Sequence, residues 1–297
     1  MSTSPSPALP APWWQPGVFD YSKVELFVMR LLFAGLIFDT IKWETGPYKT
    51  QRNPTGLAHF FDFTWLAEHP PGVFWQGLTI AGLLIYVLGW LPVIGLAPIC
   101  TFAVMIGTLV CSKAMHHSWQ LVTLIGLAQF VIYAWPRGKA NFLKPTLETH
   151  RLAVYASTVV FAAGYVVCGI VKLVNSDFQW IQKVPYLSVQ LLKSNWSSYY
   201  DTLEPVAPWL TQATQLIVDY PNISRLFFGA GLLIELGAFV ILISRKWAFF
   251  GGLAIIALHL SISVVMQLNF WYHMIAALIF LVNLPGLKRT FAAKGDS

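Results

Sequence analysis

Apolar residues run along this chain in blocks of about twenty, each bounded by charge, proline or glycine, a pattern that predicts membrane-crossing helices. There are about eight such blocks: 24–42, 73–90, 92–112, 119–136, 151–173, 226–244, 247–267 and 270–285. Pro92 separates the second block from the third, because proline cannot donate the helical hydrogen bond. From Trp247 to Leu287 only histidines could carry charge, which is too long a stretch for one ordinary helix, so a break is expected at Gln267–Asn269. The expected fold class is all-α, a polytopic membrane bundle with extracytoplasmic interfacial helices. A single bundle would occupy 23–287, between a flexible N-terminal tail (1–22) and a C-terminal tail (288–297). No internal repeat is evident.

Composition agrees with that pattern and narrows the functional classes. The chain has 297 residues, 56% hydrophobic and 11% charged, with mean hydropathy +0.61, too apolar for an ordinary soluble domain. In a soluble chain a net charge of +6 would suggest nucleic acid. Here the basic residues fall largely at block ends, so the bilayer is the expected partner and nucleic acid is not. Arg137, Lys139, Lys144 and Arg151, then Arg245 and Lys246, then Lys288, Arg289 and Lys294 share one face. The positive-inside rule makes that face cytoplasmic, with both termini on it, as in a bacterial inner membrane. Segments 43–72 and 174–225 then lie outside, where aromatic and periodic stretches suit interfacial helices covering a cavity mouth. The opening MSTSPSPALPAPWWQPG lacks the order of a cleavable signal peptide, and its WWQPG suits the headgroup level. Cys100, Cys111 and Cys168 lack CxxC spacing and read as buried free thiols. His116 and His117 are weak as a metal site without further ligands, and no metal is expected. HExxH, GxSxG, P-loop and Rossmann fingerprints are absent.

Candidate chemistry lies in the few polar residues within the blocks. Val154 to Val171 carries no ionised side chain and leads into Lys172, which either snorkels to the interface or sits in a polar cavity. Glu235, central in its block, must be protonated, paired or facing a wet cavity, and it serves either a structural pairing or chemistry. Gly229, Gly231 and Gly237 nearby are small enough for another helix to approach. His259, Ser263 and Gln267 recur every four residues and form one polar stripe facing the bundle interior. Interhelical hydrogen bonding alone explains such a stripe as readily as chemistry does. His273 is near enough to join it. Arg30 and Glu25 lie roughly 140° apart around a helix, so Arg30 should snorkel or find an acid on another helix. Asp39 and Lys42 are spaced for a structural ion pair.

AGYVVCGIVKLVNSDFQW, FFGAGLLIELGAF and LHLSISVVMQLNFWYHMIAALIFLVNLP together resemble the transmembrane core of the vitamin K-dependent gamma-carboxylase and its bacterial relatives, the horizontally transferred transmembrane domain family. The most specific part is Cys168, Gly169, Ile170, Lys172 and Leu173, followed by Asp177 and Trp180. The resemblance implies that Lys172 is the base that deprotonates a vitamin K-like hydroquinone, with His259 and Glu235 lining the catalytic pocket. Ser263, Gln267, Trp180 and His273 would contact the substrate. A desolvated lysine amine has the lowered basicity such a role needs. Two departures stand out: Ile262 replaces the amide of the family's histidine helix, and the chain stops soon after its last helix. The second counts against protein-glutamate carboxylation. A non-catalytic maturation or export partner remains an alternative, with the outer helices as binding surface. A transporter finds little support, since neither broken-helix pairs nor inverted repeats are evident.

Overall fold

The computed structural model describes residues 19–41, 45, 49–54, 56–112, 119–135, 144–266 and 268–292, and every regular element among them is helical. The principal helices are α1 (Lys23–Thr40), α2 (Val73–Leu88), α3 (Pro92–Cys111), α4 (Gln120–Ala134) and α5 (Leu147–Asn175). They are followed by α6 (Leu187–Thr202), α7 (Pro208–Asp219), α8 (Pro221–Leu236), α9 (Arg245–Met266) and α10 (Trp271–Ala277). A 3-10 stretch (Gly237–Leu242) prolongs α8, and a π-helical stretch (Leu278–Val282) prolongs α10. Each of the eight apolar blocks holds a helix. Among the described residues, five helical stretches are long and apolar enough to cross a membrane: α3, α5, α8 with its extension, α9, and Trp271–Phe291. The other three blocks hold α1, whose 18 residues carry several charges, and the shorter apolar α2 and α4.

Helix ends follow local chemistry. Ser22 and Glu25 form a capping box: the Ser22 backbone N–H donates to Glu25 at 2.8 Å, and the Glu25 N–H donates to the Ser22 hydroxyl at 3.2 Å. Pro92, Pro208 and Pro221 each occupy a first helical position, where the missing N–H costs nothing. Gly89 ends α2 at φ +74°, a conformation open to glycine. At the end of α9 the Ser263 hydroxyl donates to the Leu268 carbonyl, and the Asn269 side chain accepts from the Trp271 N–H to start α10. Outside the bundle, Asp62 accepts from the Thr64 backbone N–H and hydroxyl and from Gln51, which hold its carboxyl below the usual range.

Packing depends on small residues and satisfied polar groups. α2 and α3 meet at Gly82 and Gly95, where a Cβ on either would strike the other's carbonyl. Phe33, Tyr86, Phe161 and Phe280 are almost wholly buried, with Phe33 edge-on to Phe280 at 5.0 Å. A polar chain crosses this core: Tyr86 donates to Gln129 at 2.7 Å, Gln129 to Ser157 at 2.9 Å, and Ser157 to the Ala153 carbonyl at 3.0 Å. It ties α2, α4 and α5 together with each link satisfied.

At one end of the bundle, buried Glu25 accepts from Arg245 at 2.5 Å, Asn283 at 2.9 Å and Arg289 at 2.8 Å. Asp20 pairs with Arg151 and Arg289 there, and Arg245 lies over the Tyr21 ring. The ends of α1, α5, α9 and the last helical segment are thereby tied at one face.

Several expectations need correction or fall outside the described residues. Arg30 is buried and has no acid partner among the described residues. It donates instead to the Val87 carbonyl at 3.2 Å and contacts His150 Nδ1 at 3.2 Å. The reason is that α2 ends beside it, and the last carbonyls of a helix are unpaired acceptors at the negative end of its dipole. Cys100 and Cys111 are buried, but Cys168 is exposed, because it flanks the packed face of α5. WWQPG, Lys42, His116, His117 and Gln267 lie outside the described residues.

Candidate acid–base site

Tyr165, Gly169 and Lys172 are spaced four and three residues apart, so they line one stripe of α5. Gly169 lets α8 come close. A Cβ at that position would meet Leu236 Cδ2 at 2.8 Å and its backbone nitrogen at 3.3 Å. The approach brings Lys172 within reach of Glu235, whose two oxygens lie 2.5 and 2.6 Å from Nζ. Of the glycines on α8, Gly229 faces Ile181 and Gly231 faces Leu258 of α9, while nothing approaches Gly237 within 4 Å.

The pair is unevenly covered, with the Glu235 side chain 10% exposed and that of Lys172 35%. Part of the covering comes from Trp180, whose ring centroid lies 5.6 Å from Lys172 Nζ, a cation–π distance. A strained turn puts it there. Asp177 and Phe178 follow α5 at φ +54° and +59°, left-handed values that cost a non-glycine residue about 1–2 kcal/mol each. The Phe178 N–H to the Leu173 carbonyl (2.8 Å) and Lys183 to the Ser176 carbonyl (3.0 Å) hold the turn. Backbone strain of this kind concentrates where geometry serves a function.

Two turns toward the other end of α5, the Tyr165 hydroxyl shares a hydrogen bond with His259 Nε2. Phe161 stacks on Tyr165 at 5.3 Å, Phe270 lies 4.7 Å from the His259 ring, and His273 lies 5.1 Å from it. Glu235, His259 and His273 thus converge on the Lys172–Tyr165 stripe from three other segments. Ser263 lies on α9 with His259, but its hydroxyl is used at the helix end. Sequence reasoning passed over Tyr165 and Phe270. Tyr165 was detectable as the polar aromatic two turns before Lys172 on the same face; the contact of Phe270 depends on tertiary structure.

Two buried atoms here, His259 Nδ1 and Trp180 Nε1, have no hydrogen-bond partner among the described residues. No cluster of three metal-ligating side chains occurs among the described residues. Compared with known proteins, the chain matches no family model, and no curated protein or solved structure is significantly similar to it. The likeness to the carboxylase core therefore rests on the motif residues alone.

Gly169→Leu should force α5 and α8 apart and break the Lys172–Glu235 pair, whereas Gly237→Ala should be silent because nothing approaches that position. Thermal unfolding in detergent should show a drop of several degrees for the first and none for the second. Equal midpoints would refute the close approach.

Proposed function

We propose that the chain is a membrane-embedded enzyme resembling the vitamin K-dependent gamma-carboxylase core, with the Lys172–Glu235 pair as a proton-accepting site for a quinol or similar lipophilic substrate. The observation that carries this reading is a lysine–carboxylate pair among apolar helices, partly open, beside the buried Tyr165–His259 bond. A hydroquinone would supply a weakly acidic hydroxyl. Within the pair, Lys172 Nζ passes its proton to a Glu235 oxygen, which leaves a neutral amine and a neutral acid. The amine then takes the substrate proton, and the pair holds one proton more than before. The unbonded His259 Nδ1 and Trp180 Nε1 suit a polar ligand edge, and Phe270 and Trp180 suit an aromatic ring.

Lipid extracts of the purified protein, assayed by mass spectrometry, should be enriched in quinone over the surrounding membrane, and His259→Ala should reduce that enrichment. Equal quinone content in protein and membrane would overturn the reading. A second reading, a maturation or export partner, draws on the exposed Tyr186, Trp196, Tyr200 and Trp209 between α5 and α8. Crosslinking from that surface to one recurrent protein, without quinone, would favour it.

The proposal includes eight crossings with both termini cytoplasmic in a bacterial inner membrane. Its support is the positive-inside distribution together with the shared ion network at the ends of α1, α5 and α9. An impermeant thiol reagent applied from outside should label Ser197→Cys and spare Lys246→Cys. The opposite labelling would reverse the orientation.

A further inference from the structure

A cavity lined by charged and apolar side chains lies at the far end of α5 from Lys172, about 33 Å along the helix from His150 to Lys172. Its volume is about 350 Å³, and Lys23, Leu26, Arg30, Pro145, Leu147 and His150 line it. That size falls within the range of about 300–1,000 Å³ typical of small-molecule sites. Three observations give it an unbalanced positive character. Arg30 is only 9% exposed yet faces no carboxylate among the described residues; its partners there are the Val87 carbonyl, His150 and the Tyr133 hydroxyl. Lys23 on the rim adds a second cation. Lys23 and Leu147 are also the first residues of α1 and α5, so two long helices direct their positive dipole ends here.

The nearest acids do not balance these charges. Glu25 is bound by Arg245, Arg289 and Asn283, and Glu148 by Arg151 at 2.6 Å. His150 adds a donor instead. Arg30 can only donate, so Nδ1, which also meets the Tyr133 hydroxyl at 2.9 Å, must be an acceptor. The ring proton then resides on Nε2. A buried guanidinium without a counter-ion is costly, and an entering anion removes that cost.

The geometry points to a binding site for a phosphate ester between α1 and α5, with Arg30 as its principal anchor, Lys23 and His150 as further donors, and the two helix N-termini as supporting dipoles. A lipid headgroup and a soluble phosphate present the same chemistry here. Native mass spectrometry of the full chain in detergent should show phosphatidylglycerol retained about tenfold over phosphatidylcholine. Lys23→Gln should weaken that retention about threefold and Arg30→Gln about tenfold. Lys23 is exposed, so its replacement tests the site without endangering the fold even if Arg30→Gln proves unstable. In a parallel arm, inorganic phosphate is added to lipid-free protein and thermal unfolding is followed. Selective lipid retention without a phosphate response assigns the site to a headgroup; a phosphate-induced rise in the midpoint that Lys23→Gln reduces assigns it to a soluble ester. Equal retention of both lipids with no phosphate response overturns the proposal, as does unchanged binding in both variants.

Discussion

Glu25→Ala should be the most damaging single substitution in the bundle, lowering its stability by about 3–5 kcal/mol, the usual result of removing one member of a buried charged network. Glu25 is 1% exposed, and its two oxygens serve Arg245, Asn283, Arg289 and the Ser22 N–H. Without it, Arg245, 13% exposed in its side chain, keeps as acceptors among the described residues the carbonyls of Asp20 and Gly286. The first turn of α1 also loses half its capping box, worth a further ~1 kcal/mol. Glu25→Gln keeps shape and some hydrogen bonds, so it should cost less. Denaturant unfolding in micelles, followed by tryptophan fluorescence, would measure both. A loss under about 1 kcal/mol for Glu25→Ala would mean that the arginines relax into water or headgroups and that the network does not hold the bundle ends together.

That network shows where sequence reading stops. The ends of the apolar blocks were legible because proline, glycine and capping residues act locally: Pro92 begins α3, and the interruption after Met266 falls at the expected break. The Ser22–Glu25 box was equally readable, as a serine three residues before a glutamate, although Glu25 attracts notice first as a failed partner for Arg30. Its real partners are more than 200 residues away, and no local spacing encodes that contact. Lys172 and Glu235 likewise stood out singly, as charges in apolar surroundings. Their pairing depends on Gly169 admitting α8, a fact of three-dimensional packing. Of the two partners expected for Arg30, a headgroup or an acid, the acid is absent among the described residues, and the end of α2 supplies the Val87 carbonyl.

The Lys172–Glu235 pair should respond asymmetrically to substitution. Lys172→Met leaves a carboxylate that is only 10% exposed, so it must protonate or unfold its surroundings, at a cost of about 2–4 kcal/mol. Glu235→Leu leaves a lysine 35% exposed, long enough to move its ammonium toward polar surroundings, and solvent screening reduces the cost to about 1–2 kcal/mol. The double variant should recover to within about 1 kcal/mol of the native chain, since a buried pair replaced by apolar residues of similar volume is often neutral. Glu235→Lys, which sets two ammonium groups together, should sharply reduce membrane-inserted protein, while Glu235→Gln should be tolerated. This stability pattern establishes the pair without saying whether it does chemistry. Lys172→Arg addresses that question. Guanidinium keeps the charge and the contact with Glu235 but cannot release a proton to become a base, so stability should hold while quinol-linked turnover is lost. A folded Lys172→Arg protein that still turns over a hydroquinone probe would end the base assignment and leave the pair as a clip between α5 and α8.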